Sequence, residues 1–214
     1  MAARRDRDGC EMIAVLDYGI GNLRSAEKAL QHVGADARLV SDPKQAARAS
    51  GVVLPGVGAF GACARALRSS GMDEAARSAI ESEVPFLGIC VGLQLMFDGS
   101  EEDPSAAGLG VLAGTVRALP PGERSPQMQW NVVRACRPGS RLLGSSPEQW
   151  FYFVHSYAPV PEMATSASVV GTCEYGARLP VAFERGNVFG TQFHPEKSAR
   201  NGLELLGRFA ALCA

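Results

Sequence analysis

Lysine and histidine are scarce in this chain. Only three lysines (Lys28, Lys44, Lys197) and three histidines (His32, His155, His194) occur in 214 residues, so any imidazole chemistry must use one of three positions. Few lysines among 21 basic residues reflect a bias toward Arg and carry no chemical message of their own. Charge of one sign is also lacking: 21 basic residues balance 22 acidic ones for a net charge of −1, which excludes the electrostatic footprint of a nucleic-acid or anionic-membrane binder and leaves small molecules or proteins as substrates. No uninterrupted apolar run approaches the roughly 20 residues of a membrane span, and the opening segment lacks the apolar region of a signal peptide. The six cysteines show no CxxC or CxxH spacing, which argues against a zinc ribbon or a disulfide framework. They read as reduced thiols of a cytoplasmic protein. No internal repeat, low-complexity tract or linker is evident. Residues 1–11, rich in charge, are expected to form a disordered tail, and 12–214 a single domain long enough to bury a full core.

What is present is an alternation of short apolar runs with helical patterns. Met12-Ile13-Ala14-Val15-Leu16 suits a strand buried on both faces, followed by a turn with two glycines and a helix capped by Asn22. Gly19-Ile20-Gly21 lacks the third glycine of a dinucleotide fingerprint. A second strand is expected at 37–40, then a short helix started by Asp42-Pro43, and a third strand at 52–54. This last runs into the Gly-rich Pro55-Gly56-Val57-Gly58-Ala59-Phe60-Gly61, which suits either backbone approaching a ligand closely or an ordinary loop. Helices near 60–69 and 73–82 lead to a strand at 85–89. The order implies a parallel sheet whose ligands collect at the C-terminal strand ends. Beyond an acidic loop at 98–104 the texture turns to strands and turns, expected at 114–118, 128–134, 150–155, 167–173, 180–184 and 187–193. A final helix is expected to face the sheet with Leu203, Leu206, Ala210 and Leu212.

The sharpest feature is Gly88-Ile89-Cys90-Val91-Gly92, an apolar run ending in a cysteine with glycines at i−2 and i+2, directly before a helical pattern. This is the composition of a nucleophile elbow, where small neighbours make room for a strained residue held at a helix start. The same residues would also suit a core cysteine between two turn glycines. A thiol nucleophile needs a base and a group that orients the base. His32 falls on a helix and His155 and His194 end apolar runs, but only His194 has a carboxylate at i+2 in extended chain, Glu196. Cys90, His194 and Glu196 therefore form the candidate triad.

Five blocks in order carry a resemblance: Asp17-Tyr18-Gly19 with Gly21-Asn22-Leu23, Leu54 through Phe60, Gly88 through Leu95, Phe151-Tyr152-Phe153-Val154-His155-Ser156-Tyr157, and Gln192-Phe193-His194-Pro195-Glu196-Lys197-Ser198. Over 12–209 the chain resembles the class I glutamine amidotransferases, and within them the glutaminase subunits of imidazole glycerol phosphate synthases. The resemblance implies a flavodoxin-like α/β fold, with the mostly parallel sheet joined by a strand-rich second half, and no metal or organic cofactor. It implies that Cys90 attacks the side-chain amide of glutamine, with His194 as acid and base and Glu196 orienting it. By the same resemblance Val91 and the Val57-Gly58 peptide hold the oxyanion, with glycines that would let that peptide rotate its carbonyl toward the site at rest. Gln94, Ser156 and Tyr157 would position the glutamine, and His155 would only pack or position. Ammonia would pass to a separate (β/α)8-barrel cyclase subunit in a heterodimer, met by Tyr18, Asn22, Trp130, Tyr152 and Lys197. One departure stands out, for where the family carries His-Met-Gly-Trp-Asn this chain has Gln127-Met128-Gln129-Trp130-Asn131. A glutaminase of another synthase, a cysteine peptidase and an inactive regulatory module are the competing readings. The first is disfavoured by the Pro55–Phe60 and Glu196–Ser198 blocks, the second by Gln94, and the third by the intact triad.

Overall fold

The computed structural model describes residues 12–214, and the tail expected over 1–11 lies outside the described residues. The first half alternates as the sequence implies: β1 (Ile13–Leu16), α1 (Leu23–His32), β2 (Ala37–Val40), α2 (Pro43–Ala46), β3 (Gly51–Gly56), α3 (Phe60–Ser69), α4 (Met72–Glu81), β4 (Phe86–Cys90) and a single turn α5 (Val91–Gln94). The second half is strand-rich: β5 (Gly99–Ser100), β6 (Gly114–Ala118), β7 (Gln127–Ala135), β8 (Glu148–His155), β9 (Tyr157–Pro161), α6 (Met163–Ser166), β10 (Val169–Glu174), β11 (Arg178–Arg185) and β12 (Val188–Thr191). A 3-10 turn at Pro195–Lys197 and the long α7 (Ala199–Cys213) close the chain.

The strands form a nine-stranded sheet in the order β2-β1-β3-β4-β12-β11-β10-β7-β8 and a small sheet β5-β6-β9. The five strands from β2 to β12 run parallel. β11, β10, β7 and β8 then continue the same sheet antiparallel. The fold is thus flavodoxin-like in its parallel half, and the strand-rich region extends that sheet with four strands and adds the small one. β1, β3 and β4 are buried along their whole lengths, as continuous apolar runs covered by helices on both faces must be.

Several local expectations need correction. Asn22 occupies the position before α1 but makes no side-chain capping bond, whereas Asp42 does cap α2 by accepting from the Lys44 N–H at 2.9 Å. The inward face of α7 is Gly202, Leu205, Leu206, Phe209 and Cys213, with Leu203, Ala210 and Leu212 only partly buried at its flanks. Apolar residues nearly surround that helix, so their spacing does not single out one face. β9 is a strand that the sequence does not announce, because it carries Pro159 and Pro161; it is an edge strand, where a missing N–H costs no ladder bond.

Phenylalanines link the core to the site. Phe193 stacks on Phe151 at 4.0 Å and meets Phe153 edge-on at 5.6 Å, so the residue before His194 is fixed by two rings of β8. At the other side of the site the elbow is crowded by backbone. A Cβ on Gly92 would lie 1.8 Å from the Leu54 carbonyl oxygen, and one on Gly88 would lie 2.9 Å from the Gly92 carbonyl. These glycines let β3, β4 and α5 cross in contact. Gly92→Ala is therefore expected to destabilise the domain by about 3 kcal/mol, read as a lowered midpoint in urea unfolding, because the obstacle is backbone that cannot swing aside.

Candidate active site

Cys90 ends β4 and opens α5 with φ 55° and ψ −112°, a left-handed conformation for a residue with a side chain. Such backbone costs on the order of 1–3 kcal/mol and persists only where its surroundings impose it, here the two glycine crossings. The strain turns the sulfur into a pocket of about 230 Å³ at the C-terminal ends of the parallel strands. Cys90, Val57, Gly58, Val91, Gln94 and His194 are among the residues lining it. Val154, His155, Ser156 and Tyr157 supply another wall. Every residue that the sequence assigned to nucleophile, base, oxyanion or substrate thus meets in one cavity, with Glu196 just behind it.

His194 is buried, and its Nδ1 lies 2.8 Å from Glu196 Oε1, which fixes the ring and its tautomer. Its main chain is equally constrained. The His194 N–H donates to the Tyr152 carbonyl at 2.9 Å, the Ser198 hydroxyl donates to the His194 carbonyl at 2.6 Å, and the Tyr152 N–H donates to that same hydroxyl at 2.9 Å. Nε2 is buried and makes no hydrogen bond among the described residues, yet Cys90 is close enough to act on its charge. Burial opposes the imidazolium, but Cys90 and Glu196 together outweigh it and raise His194 well above the ordinary histidine range. His194 can therefore carry a proton beside the Cys90 sulfur.

His155 behaves in the opposite way. Its Nδ1 lies 2.8 Å from the Tyr157 carbonyl, its Nε2 is buried without a partner among the described residues, and burial pushes it down to about 4. Kept neutral, His155 ties one wall of the pocket to the Tyr157 carbonyl. Gln94 shares the same carbonyl, since its Nε2 donates to Tyr157 O at 2.9 Å and to Gln192 Oε1 at 3.0 Å, leaving its own oxygen for a ligand.

The Gly-rich loop is fastened from beneath. The Tyr18 hydroxyl donates to the Pro55 carbonyl at 2.7 Å and the Cys63 thiol to the Val57 carbonyl at 3.3 Å. In a trans peptide the N–H lies opposite the carbonyl, so the Gly58 N–H points away from Cys63. The Val57 carbonyl is thereby held by Cys63 in the resting loop. Tyr18, expected at a partner surface, is instead buried at 5 % exposure, because its phenol serves this loop. Asn22 and Lys197 are exposed, Tyr152 is half-buried, and Trp130 is exposed and meets Tyr152 edge-on at 6.2 Å.

Two site residues escaped the sequence reading. Glu102 lies in the acidic loop, which reads as solvated chain, but its Oε2 accepts from the Phe60 N–H at 2.7 Å and, among the described residues, it is the only carboxylate lining the pocket. Gln192 stands within a recognised block without a role, yet its Nε2 lies 3.6 Å from the Cys90 sulfur.

Residues 14–211 match the family model described as glutamine amidotransferase class-I. The chain belongs to the class I glutamine amidotransferase family. Among curated glutamine amidotransferase relatives, the imidazole glycerol phosphate synthase subunit HisH of Moorella thermoacetica is 49% identical over 200 residues, covering 94% of each chain. The protein of the same name from Synechococcus sp. (strain JA-3-3Ab) is 47% identical over 206 residues, again covering 94% of each. Of solved structures, one described as a glutamine amidotransferase superposes with a TM-score of 0.71 at 24% identity, covering 94% of this chain and 98% of that one. A glutamine amidotransferase from Thermotoga maritima gives 0.63 at 18% identity, covering 89% of this chain and 78% of that one. Both support the amidotransferase fold. No helix among the described residues is long and apolar enough to cross a membrane.

His155 sets a pH dependence of stability. Unfolded, it binds a proton near its ordinary 6.5; folded, it stays neutral down to about 4. Between these values the unfolded state holds more protons, so the contribution is complete above 6.5 and is lost as pH falls toward 4, by about 3 kcal/mol in all. Urea midpoints measured from pH 7 to pH 4 should fall less steeply for His155→Gln than for the parent chain.

Proposed function

We propose that this chain is the glutaminase subunit of an imidazole glycerol phosphate synthase, hydrolysing glutamine to glutamate and ammonia for a cyclase partner in histidine biosynthesis. The observation that carries the reading is a cysteine in strained backbone sharing one pocket with a buried His194–Glu196 pair. The names of the relatives support the choice of synthase.

The Cys90 sulfur attacks the side-chain carbonyl carbon of glutamine, and the resulting oxyanion accepts hydrogen bonds from the Val91 N–H and the Gly58 N–H. His194, charged at the outset, gives its Nε2 proton to the departing nitrogen, which leaves as ammonia and a thioester remains. Neutral His194 then takes a proton from water, the hydroxide attacks the thioester, and glutamate is released as the thiolate is restored beside the again protonated His194. Glu196 keeps the imidazole in one orientation throughout. Glu102 offers the substrate's ammonium a counter-charge, and Gln94 offers its free oxygen. Ser156 and Tyr157 form the wall opposite.

The partner is a (β/α)8-barrel cyclase held in a heterodimer. Its contact surface combines Asn22, Lys197, Tyr152 and the apolar band of Met128 and Trp130, which are 64% and 44% exposed. Met128 and Trp130 lie on β7, Tyr152 on the neighbouring edge strand β8, and Lys197 in the turn after His194. Tyr18 acts from below, through the loop. Ammonia released beside His194 leaves past Tyr152 toward the barrel. Gln129, between Met128 and Trp130 in β7 and on the opposite face, stands in place of the family's glycine.

Glutamate release measured for the chain alone, with the barrel cyclase, and with cyclase plus its ligand tests the function. The expected result is stimulation by the partner and no release by Cys90→Ser, while added ammonia still supports the partner's cyclisation. Release by Cys90→Ser equal to that of the parent would remove the nucleophile.

Lys197 makes no ion pair among the described residues and projects from the turn that carries Glu196. Lys197→Ala is expected to weaken heterodimer affinity by a factor of about 5–10, as loss of a charge pair at a protein interface does, with the thermal midpoint of the isolated chain unchanged. Titration calorimetry against the cyclase reads the first, and equal affinities would return Lys197 to ordinary solvated surface.

A further inference from the structure

Gln192 touches the nucleophile directly. It follows β12 and precedes Phe193, and its side chain is fully buried. Its Nε2 lies 3.6 Å from the Cys90 sulfur, and its Oε1 accepts from Gln94 Nε2 at 3.0 Å. The direction of this chain of amides is fixed at its far end. The Tyr157 carbonyl can only accept, so Gln94 must turn its nitrogen toward it. That same nitrogen then faces Gln192, which must answer with its oxygen and present its nitrogen to the sulfur. His155, donating from Nδ1 to the same carbonyl, anchors the series.

We propose that Gln192 is a catalytic residue of the thiol site, its side-chain N–H donating to the Cys90 sulfur and stabilising the thiolate while its oxygen holds Gln94 against the substrate. The assignment rests on the glutaminase reading only in taking Cys90 as the nucleophile. No proton changes hands at Gln192. It acts before attack, when the sulfur carries charge, and again when the sulfur is expelled from the thioester.

The other groups around the sulfur leave this task open. Among the described residues His194 is the one cation near it, supported by Glu196, and it must give up its proton during the reaction. Tyr18 from the β1–α1 loop and Cys63 from α3 also face Cys90, and burial keeps both neutral. Glu102 lines the pocket as an anion and can only disfavour a thiolate. The Val154 carbonyl, 3.9 Å from the sulfur, accepts from the thiol and offers the thiolate nothing. Gln192 is thus the neutral donor that persists whichever form His194 takes.

The test is the rate of Cys90 alkylation by iodoacetamide as a function of pH, followed by mass spectrometry of the Cys90 peptide because the exposed Cys136 reacts as well. Gln192→Met and Gln192→Leu keep the volume and remove the donor. Both should alkylate about tenfold more slowly at neutral pH, with the difference closing at high pH where the thiol is fully ionised, and glutamine hydrolysis should show kcat/KM lowered by a similar factor. Alkylation profiles coinciding with the parent's, in either variant with an unchanged circular dichroism spectrum, would reduce Gln192 to packing. The two variants differ in shape, so a folding defect in one leaves the other to decide. A parent chain that releases no glutamate with or without its partner would sink the glutaminase reading, while the alkylation comparison would still decide the role of Gln192.

Discussion

The contact on which the structure depends is the crossing of bare backbone at the elbow. Leu54 in β3 and Gly92 in α5 approach so closely that no side chain fits between them. The approach holds the first turn of α5 hard against the sheet and leaves Cys90 no relaxed conformation. Everything reactive is built outward from that point, because a sulfur raised from the sheet by a fixed turn needs only a base brought to it. The segment that follows β12 brings that base. β12 lies beside β4, and the residues after it deliver Phe193 into the core and His194 to the sulfur.

The electrostatics divide the two site histidines. Both are buried, and burial alone would keep both neutral. Glu196 and Cys90 reverse the outcome for His194, whereas His155 has only a carbonyl beside it and stays uncharged. One imidazole is thus available for proton transfer and the other for holding a wall. The loop over the nucleophile follows a similar economy of parts: Tyr18 and Cys63, buried donors from two different elements, each hold one carbonyl of the segment from Pro55 to Val57.

Much of this is legible in the sequence, for identifiable reasons. The parallel half announces itself because strands buried on both faces must be continuous apolar runs, and the turns between them need glycine or proline. The triad is legible because an elbow requires small residues at fixed offsets and a chain with three histidines offers few bases. Less can be read where a residue acts through a fold-level neighbour. Glu102 looks like any acid in a charged loop until Phe60 is brought beside it, 42 positions away. Gln192 and Gln94 are 98 positions apart, and their pairing exists only in the assembled core. Tyr18 is misplaced by sequence for the same reason, since its partner Pro55 belongs to the next strand but one. The face of α7 eludes sequence because its apolar residues are too many to define a stripe.

The outer edge of the large sheet has a consequence for solubility. β8 is the last strand, and an open edge invites further strands from other molecules. Here the edge is occupied: Tyr152 gives its carbonyl to the His194 N–H and its own N–H to Ser198, and Trp150 gives its carbonyl to Asn201. The guard that keeps the sheet from growing is the same stretch of chain that carries the base. A foreign strand could add to β8 only by dislodging His194, so protection against aggregation and integrity of the site are one property of one segment.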